Sequence, residues 1–97
     1  MSSWSVPEAT RQVFAALADP TRIRVLNLLG ENASSASRLS VPLGISRQAV
    51  AKHLRILLAA GLVKPDRTGR ETVFETVVEG LVPVSQFINQ LRGDRRA

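Results

Sequence analysis

The sequence predicts a mainly α-helical domain with a small β-hairpin (α+β): five helices, with two short strands between the fourth and the fifth. Three observations predict it. Apolar residues recur at helical spacing in successive stretches up to residue 60. Start and stop residues punctuate those stretches, notably Asp19-Pro20, Ser46 and Gly61. Between residues 62 and 78 the pattern changes to Thr- and Val-rich sequence around a glycine turn. At 97 residues with 44% apolar content, the chain is expected to form one small domain over residues 1–97. A core of that size is modest, and such domains often gain stability by pairing with a second copy.

Taken in order, Pro7 suits the first position of a helix running to about residue 18, with Val13, Phe14 and Leu17 as its apolar residues. Trp4, just before it, would either cover a small apolar patch or anchor a subunit interface. Asp19 then caps a second helix whose first position is Pro20. Its apolar residues Ile23, Val25, Leu26, Leu28 and Leu29 are numerous enough to be largely buried, and Gly30 is expected to end it. Residues 31–35 connect, with room for a short extended piece. Ser34 or Ser35 can cap a third, short helix holding Ala36, Leu39 and Val41. Pro42 should end or distort that helix, because it lacks an amide hydrogen and clashes one turn back.

The fourth helix carries the most information. Ser46 can accept from free first-turn amides, and Ile45 and Val50 have the spacing of a hydrophobic staple. Gly61 supplies the left-handed stop, with Leu62 packing back. Val50, Leu54, Leu57 and Leu58 form the expected buried stripe. Arg47, Ala51 and Arg55 stack on the opposite face, with Gln48 and Lys52 alongside. Ala51 is small enough to let that face approach a grooved surface. Arginine and lysine suit guanine edges and phosphates, and glutamine can pair with adenine. A helix, a short turn containing Gly44 and a second helix, about residues 35–60 in all, is how a helix is presented to a DNA groove.

Residues 62–66 are brief and extended, with Pro65 arguing for an edge strand. Residues 67–70 make a turn in which Gly69 permits positive φ, and residues 71–78 read as the returning strand. The hairpin spans about residues 62–78 and carries Arg67 and Arg70 at its tip, where they could reach backbone phosphate or the minor groove. A last helix, about residues 80–92, repeats Leu81, Val84, Ile88 and Leu91 with Phe87 beside them. Residues 92–97 are expected to fray. An apolar stripe on a terminal helix must cover the core or meet another chain.

Charge is concentrated. Residues 38–70 hold seven basic side chains against Asp66 alone, a net +6, while the rest of the chain is −1. That is the electrostatic footprint of a polyanion-binding face. The N-terminus has no signal-peptide pattern, and the longest apolar run, residues 56–63, is too short to span a bilayer. The chain has no cysteine, which removes disulfides and thiolate metal sites. These features predict a cytoplasmic protein with no membrane partner. The single histidine, His53, lies on the charged helix; there is no phosphate-binding glycine loop and no paired carboxylates. An enzyme is not expected, nor a cofactor.

Three blocks then stand in order: FAALADPTRIRVLNLL from Phe14, GISRQAVAKHLRILLAAGLV from Gly44, and DRTGRETVFE from Asp66. Across about residues 10–92 the chain resembles the ArsR-type winged helix-turn-helix repressors. The resemblance implies that the fourth helix enters the major groove of double-stranded operator DNA and that the hairpin is the wing. It places Ser46, Arg47, Gln48, Ala51 and Lys52 toward the groove, His53 near the backbone, and Arg70 and Thr72 at wing positions beside DNA. Arg38, Arg55 and Arg67 are added from the charge reading. It also implies a homodimer in which the first and last helices pair, with Trp4, Val13, Phe14, Leu17, Leu81, Val84, Phe87, Ile88 and Leu91 as interface candidates. Family members usually repress adjacent genes and release DNA when an effector arrives; for this chain the sequence leaves open a small molecule, a partner protein or no effector at all. Two departures stand out: there is no cysteine or last-helix histidine for a metal site (the last helix offers Glu79, Gln86 and Asn89), and Pro42 falls where the family usually continues a helix. The alternative function is a winged-helix protein-interaction module whose basic face meets an acidic protein.

Overall fold

The computed structural model describes residues 6–96, with the side chains of all of them but residues 68 and 94–96. Helix α1 (Glu8–Leu17) is followed by α2 (Pro20–Glu31), a two-residue strand β1 (Ser34–Ser35), α3 (Ala36–Leu43) and α4 (Arg47–Ala59). Strands β2 (Val63–Thr68) and β3 (Glu71–Thr76) form the hairpin, and a 3-10 turn (Val78–Leu81) leads into α5 (Val82–Arg96). The five helices and the hairpin are those the sequence predicts. Trp4 lies outside the described residues.

Local chemistry sets the boundaries. Asp19 accepts from the amides of Thr21 and Arg22 at 2.7 and 3.3 Å, capping α2. Of the two candidate caps for α3 it is Ser35 that serves, its hydroxyl accepting from the Arg38 amide at 3.2 Å. Ser46 does the same for α4, accepting from Ala49 at 3.1 Å. After α4 the Leu62 amide donates to the Leu57 carbonyl at 2.9 Å and the Gly61 amide to Leu58 at 3.0 Å. That pair of bonds with Gly61 at φ 77° is a Schellman stop.

Several boundaries differ from expectation. Pro7 is the cap of α1 rather than its first residue. Gly30 does not end α2; its φ is not positive, and the helix passes through it to Glu31. Pro42 is accommodated one residue before the end of α3, where the helix then stops at the left-handed Gly44. The last helix starts two residues late, after the 3-10 turn, and continues to Arg96 instead of fraying at 92.

The hairpin pairs Val63 with Thr76 through to Thr68 with Glu71, leaving Gly69 and Arg70 as a two-residue loop. Gly69 takes φ 64° there. The sheet has a third strand that the sequence did not resolve. Ser34 and Ser35 pair antiparallel with Phe74 and Val73, so β3 is central and β2, with Pro65, is an edge. β1 ties the start of α3 to the wing.

The core is built from Val13 and Ala16 of α1, Val25 and Leu29 of α2, Leu39 and Leu43 of α3, Val50, Leu54 and Leu57 of α4, and Leu62 and Val63. Three predicted core positions fall outside it. Ile23 is exposed, so α2 buries a narrower face than its composition allowed. Val41 is 80% exposed, and Leu43 takes its place under α3. Leu58 is 42% exposed: it is one residue, about 100°, around α4 from Leu57 and lands at the margin of the cationic face.

Candidate nucleic-acid interface

Helix α4 is oriented by its buried side. Val50, Leu54 and Leu57 fix it against the core, which turns Arg47, Gln48, Lys52 and Arg55 outward. Ala51, half-buried, sits at the foot of that face. A cleft runs between the first two turns of α4, the start of α3 and the wing. Arg47, Gln48 and Ala51 line one wall, Ser37 the end, and Arg70, Glu71, Thr72 and Phe74 the other wall. Arg67 stands opposite Thr72 in the strand register, so both side chains share one face of the sheet.

The electrostatics favour an anion here. Among the described residues the ion pairs are Arg11–Glu8, Arg22–Asp19, Arg38–Glu71 and Lys64–Glu75. Arg47, Lys52, Arg55, Arg67 and Arg70 therefore have no carboxylate within 4.0 Å among those residues. Of these, Arg47 and Arg70 line the cleft, and cations without acidic partners are what a phosphate backbone meets.

Two predicted residues are placed otherwise. Arg38 gives its guanidinium to Glu71 at 3.3 Å, tying α3 to β3, so it meets the cleft through a carboxylate. His53 is not in the cleft at all. It lies two positions beyond Ala51, about 200° around the helix, and its Nδ1 is 3.4 Å from the guanidinium of Arg22.

Arg22 itself was missed as a positioning residue, although the ADPTR block contained it. Its Nε donates to the Ala16 carbonyl at 2.8 Å and a terminal nitrogen to Ala15 at 3.2 Å. It thus ties the last turn of α1 to α2 and α4 while pairing with Asp19. Glu71 was also missed as a cleft residue. A lone acid in a strand carries no signal of the basic residue it will face.

Geometry of this kind, a capped helix beside a winged sheet, can be compared with known proteins. A helix-turn-helix domain family model matches residues 17–66. The structure of an ArsR-like transcriptional regulator from Rhodococcus sp. RHA1 superimposes with a TM-score of 0.79 at 40% identity, covering 91% of this chain and 85% of that one. The chain belongs to the ArsR-type winged helix-turn-helix family.

Other ArsR-type relatives agree. The transcriptional repressor SmtB of Mycobacterium tuberculosis is 36% identical over 67 residues, which is 69% of this chain and half the length of that protein. A homodimeric winged helix-turn-helix DNA-binding domain from Mycobacterium bovis shares the fold at 18% identity, with a TM-score of 0.72 and coverage of 93% and 85%. The ArsR-type family consists of DNA-binding transcriptional regulators, and the matched region includes α2, α3, α4 and the start of the wing.

In this ArsR-type chain the terminal helices leave apolar surface open. Phe14 of α1 meets Phe87 of α5 edge to face, ring centroids 5.5 Å apart. Phe14, Leu81, Phe87, Ile88 and Leu91 remain exposed in the single chain, Leu91 by 65%. Val13 differs from expectation: at 2% exposure it belongs to the subunit's own core. Leu17 and Val84 are half-buried against that core. Among the described residues no group of three His, Cys, Asp or Glu could hold a metal ion, and no helix is long and apolar enough to cross a membrane.

Proposed function

We propose that the protein is a cytoplasmic homodimeric repressor that binds an inverted-repeat operator. One observation carries this reading: the outward face of α4 and the wing share a cleft whose arginines have no ion-pair partner among the described residues. In this reading α4 lies in the major groove, with Arg47 and Gln48 choosing bases and Ser46 and Ala51 close to the groove floor. Lys52, Arg55, Arg67 and Arg70 hold phosphates, Thr72 supports the wing contact, and Arg38 acts through Glu71. Two copies pair through α1 and α5, burying Phe14, Leu81, Phe87, Ile88 and Leu91, and set the half-sites about 34 Å apart. The homodimeric M. bovis domain of the same fold supports pairing of two copies by analogy. Release from DNA would not use a cysteine metal site, since there is no cysteine.

The test is a footprint on the DNA upstream of the protein's own gene, with the mass of the free and bound protein measured in parallel. Protection of two symmetric half-sites by a dimer is expected. A monomer bound without sequence preference would contradict it.

A further inference from the structure

The DNA reading does not use everything in the cleft. Beyond Ala51 the cleft continues into an apolar notch of about 230 Å³ bounded by Ala36, Ala51, Leu54, Leu58, Phe74 and the side chain of Arg55. Notch and cleft share Ala36, Ala51 and Phe74, so they form one continuous depression. Leu58 lies seven residues past Ala51, about 10 Å along the helix axis. A reading helix contacts bases mainly through its N-terminal residues. The notch is thus largely carbon-lined surface left over on an otherwise cationic face.

We infer that this depression binds an amphiphilic organic anion, a carboxylate carrying an apolar chain or ring, and that this ligand and DNA exclude each other. Charge complementarity selects the ligand class. An apolar body fits the notch over Leu58 and Phe74. Its carboxylate then lies at the mouth, where Arg55 lines the notch and Arg47 and Arg70 line the adjoining cleft. None of these arginines has an ion-pair partner among the described residues. A neutral apolar molecule would leave them unused, and a small hydrophilic anion would leave the notch empty. The size suits a ligand below the usual drug-sized range, whose pockets begin at roughly 300 Å³. Exclusion follows because Arg47, Ala51 and Arg70 would serve both occupants; that part rests on the DNA reading above.

The experiment titrates the full-length, nitrogen-15-labelled protein with octanoate, following backbone amides by NMR, with 1-octanol and acetate as controls. Octanoate should shift Ala36, Ala51, Leu58 and Phe74 and bind about tenfold or more tighter than either control, as a charge-assisted contact added to apolar burial would give. Leu58→Asn removes an apolar wall of the notch without adding charge and should weaken octanoate about tenfold or more while leaving DNA affinity within about threefold. Arg55→Gln keeps the notch and should weaken octanoate but not 1-octanol. Shifts centred on Phe87, Ile88 and Leu91, or unchanged octanoate binding in both variants, would overturn the site. Cleft shifts with DNA undisturbed at saturating octanoate would overturn the exclusion. Cleft shifts in a protein that binds no DNA would uphold the ligand site and sink the operator reading instead.

Discussion

The guanidinium of Arg22 and the imidazole of His53 lie 3.4 Å apart, linking two helices that are 31 residues apart in sequence. Arginine can only donate, so Nδ1 of His53 accepts and the ring proton of the neutral form sits on Nε2. With its bonds to the Ala15 and Ala16 carbonyls, Arg22 holds α1, α2 and the middle of α4 in one frame while only 13% of its side chain is exposed. Arg22→Ala should therefore cost about 2–3 kcal/mol, since it leaves part-buried acceptors without their charged donor. Urea unfolding at fixed protein concentration checks this through the midpoint, with the slope unchanged. His53→Ala should cost less, because the guanidinium keeps its carbonyl partners.

Asp19 gives the frame a pH dependence. Partial desolvation pushes its carboxyl upward, but the amides of Thr21 and Arg22, the Arg22 guanidinium and His53 outweigh this, and the net shift is downward. A lowered folded-state pKa contributes stability that is present above the unfolded value, about 3.9, and is lost as pH falls through the lower folded one. Unfolding midpoints measured from pH 6 down to pH 3 should drop below about pH 4. Asp19→Asn, which can still cap α2, should show a shallower fall.

Two glycines should respond oppositely to alanine. At Gly30 an added Cβ meets nothing within 4 Å, and the residue is helical, so Gly30→Ala should stabilise by about 0.5–1 kcal/mol. At Gly80 an added Cβ would collide with the backbone carbonyl of Gly61, which leaves no soft side chain to yield. Gly80→Ala should destabilise by about 1–3 kcal/mol. Thermal or urea unfolding of the two variants side by side decides the matter.

Glu71 is the acid on the cleft wall, and Arg38 spends its charge on it. Glu71→Gln removes a like charge from the path of the phosphates and frees Arg38 to join them. DNA affinity should rise, and the slope of log affinity against log salt should steepen by about one. An unchanged slope would mean that Arg38 stays clear of the backbone.

Much of this was legible in the chain because helix ends are local chemistry. Ser46 and Gly61 delimit α4 by bonds within one turn, and Asp19-Pro20 does the same for α2. The outward face of α4 followed from its buried one. What could not be read depended on tertiary neighbours. β1 is two serines whose strand character comes from pairing with Val73 and Phe74. Leu58 has the spacing of a core residue, but the buried stripe of α4 ends at Leu57. Val13 is an interface candidate by family resemblance, yet it is buried in the subunit's own core together with Val25, Val50 and Leu54. The histidine of a basic helix carries no sign of which arginine will stand beside it, and the contact with Arg22 is visible only in the fold.

The cationic face of α4 is tested most directly by measuring DNA affinity across a salt series for the wild type, Arg47→Ala, Gln48→Ala and Lys52→Ala on one operator and its single-base variants. Arg47→Ala and Gln48→Ala should each cost about 1–3 kcal/mol and relax preference at one position; Lys52→Ala should weaken all sequences alike and lower the salt slope by about one. If all three variants match the wild type in affinity, preference and slope, α4 is not the reading helix.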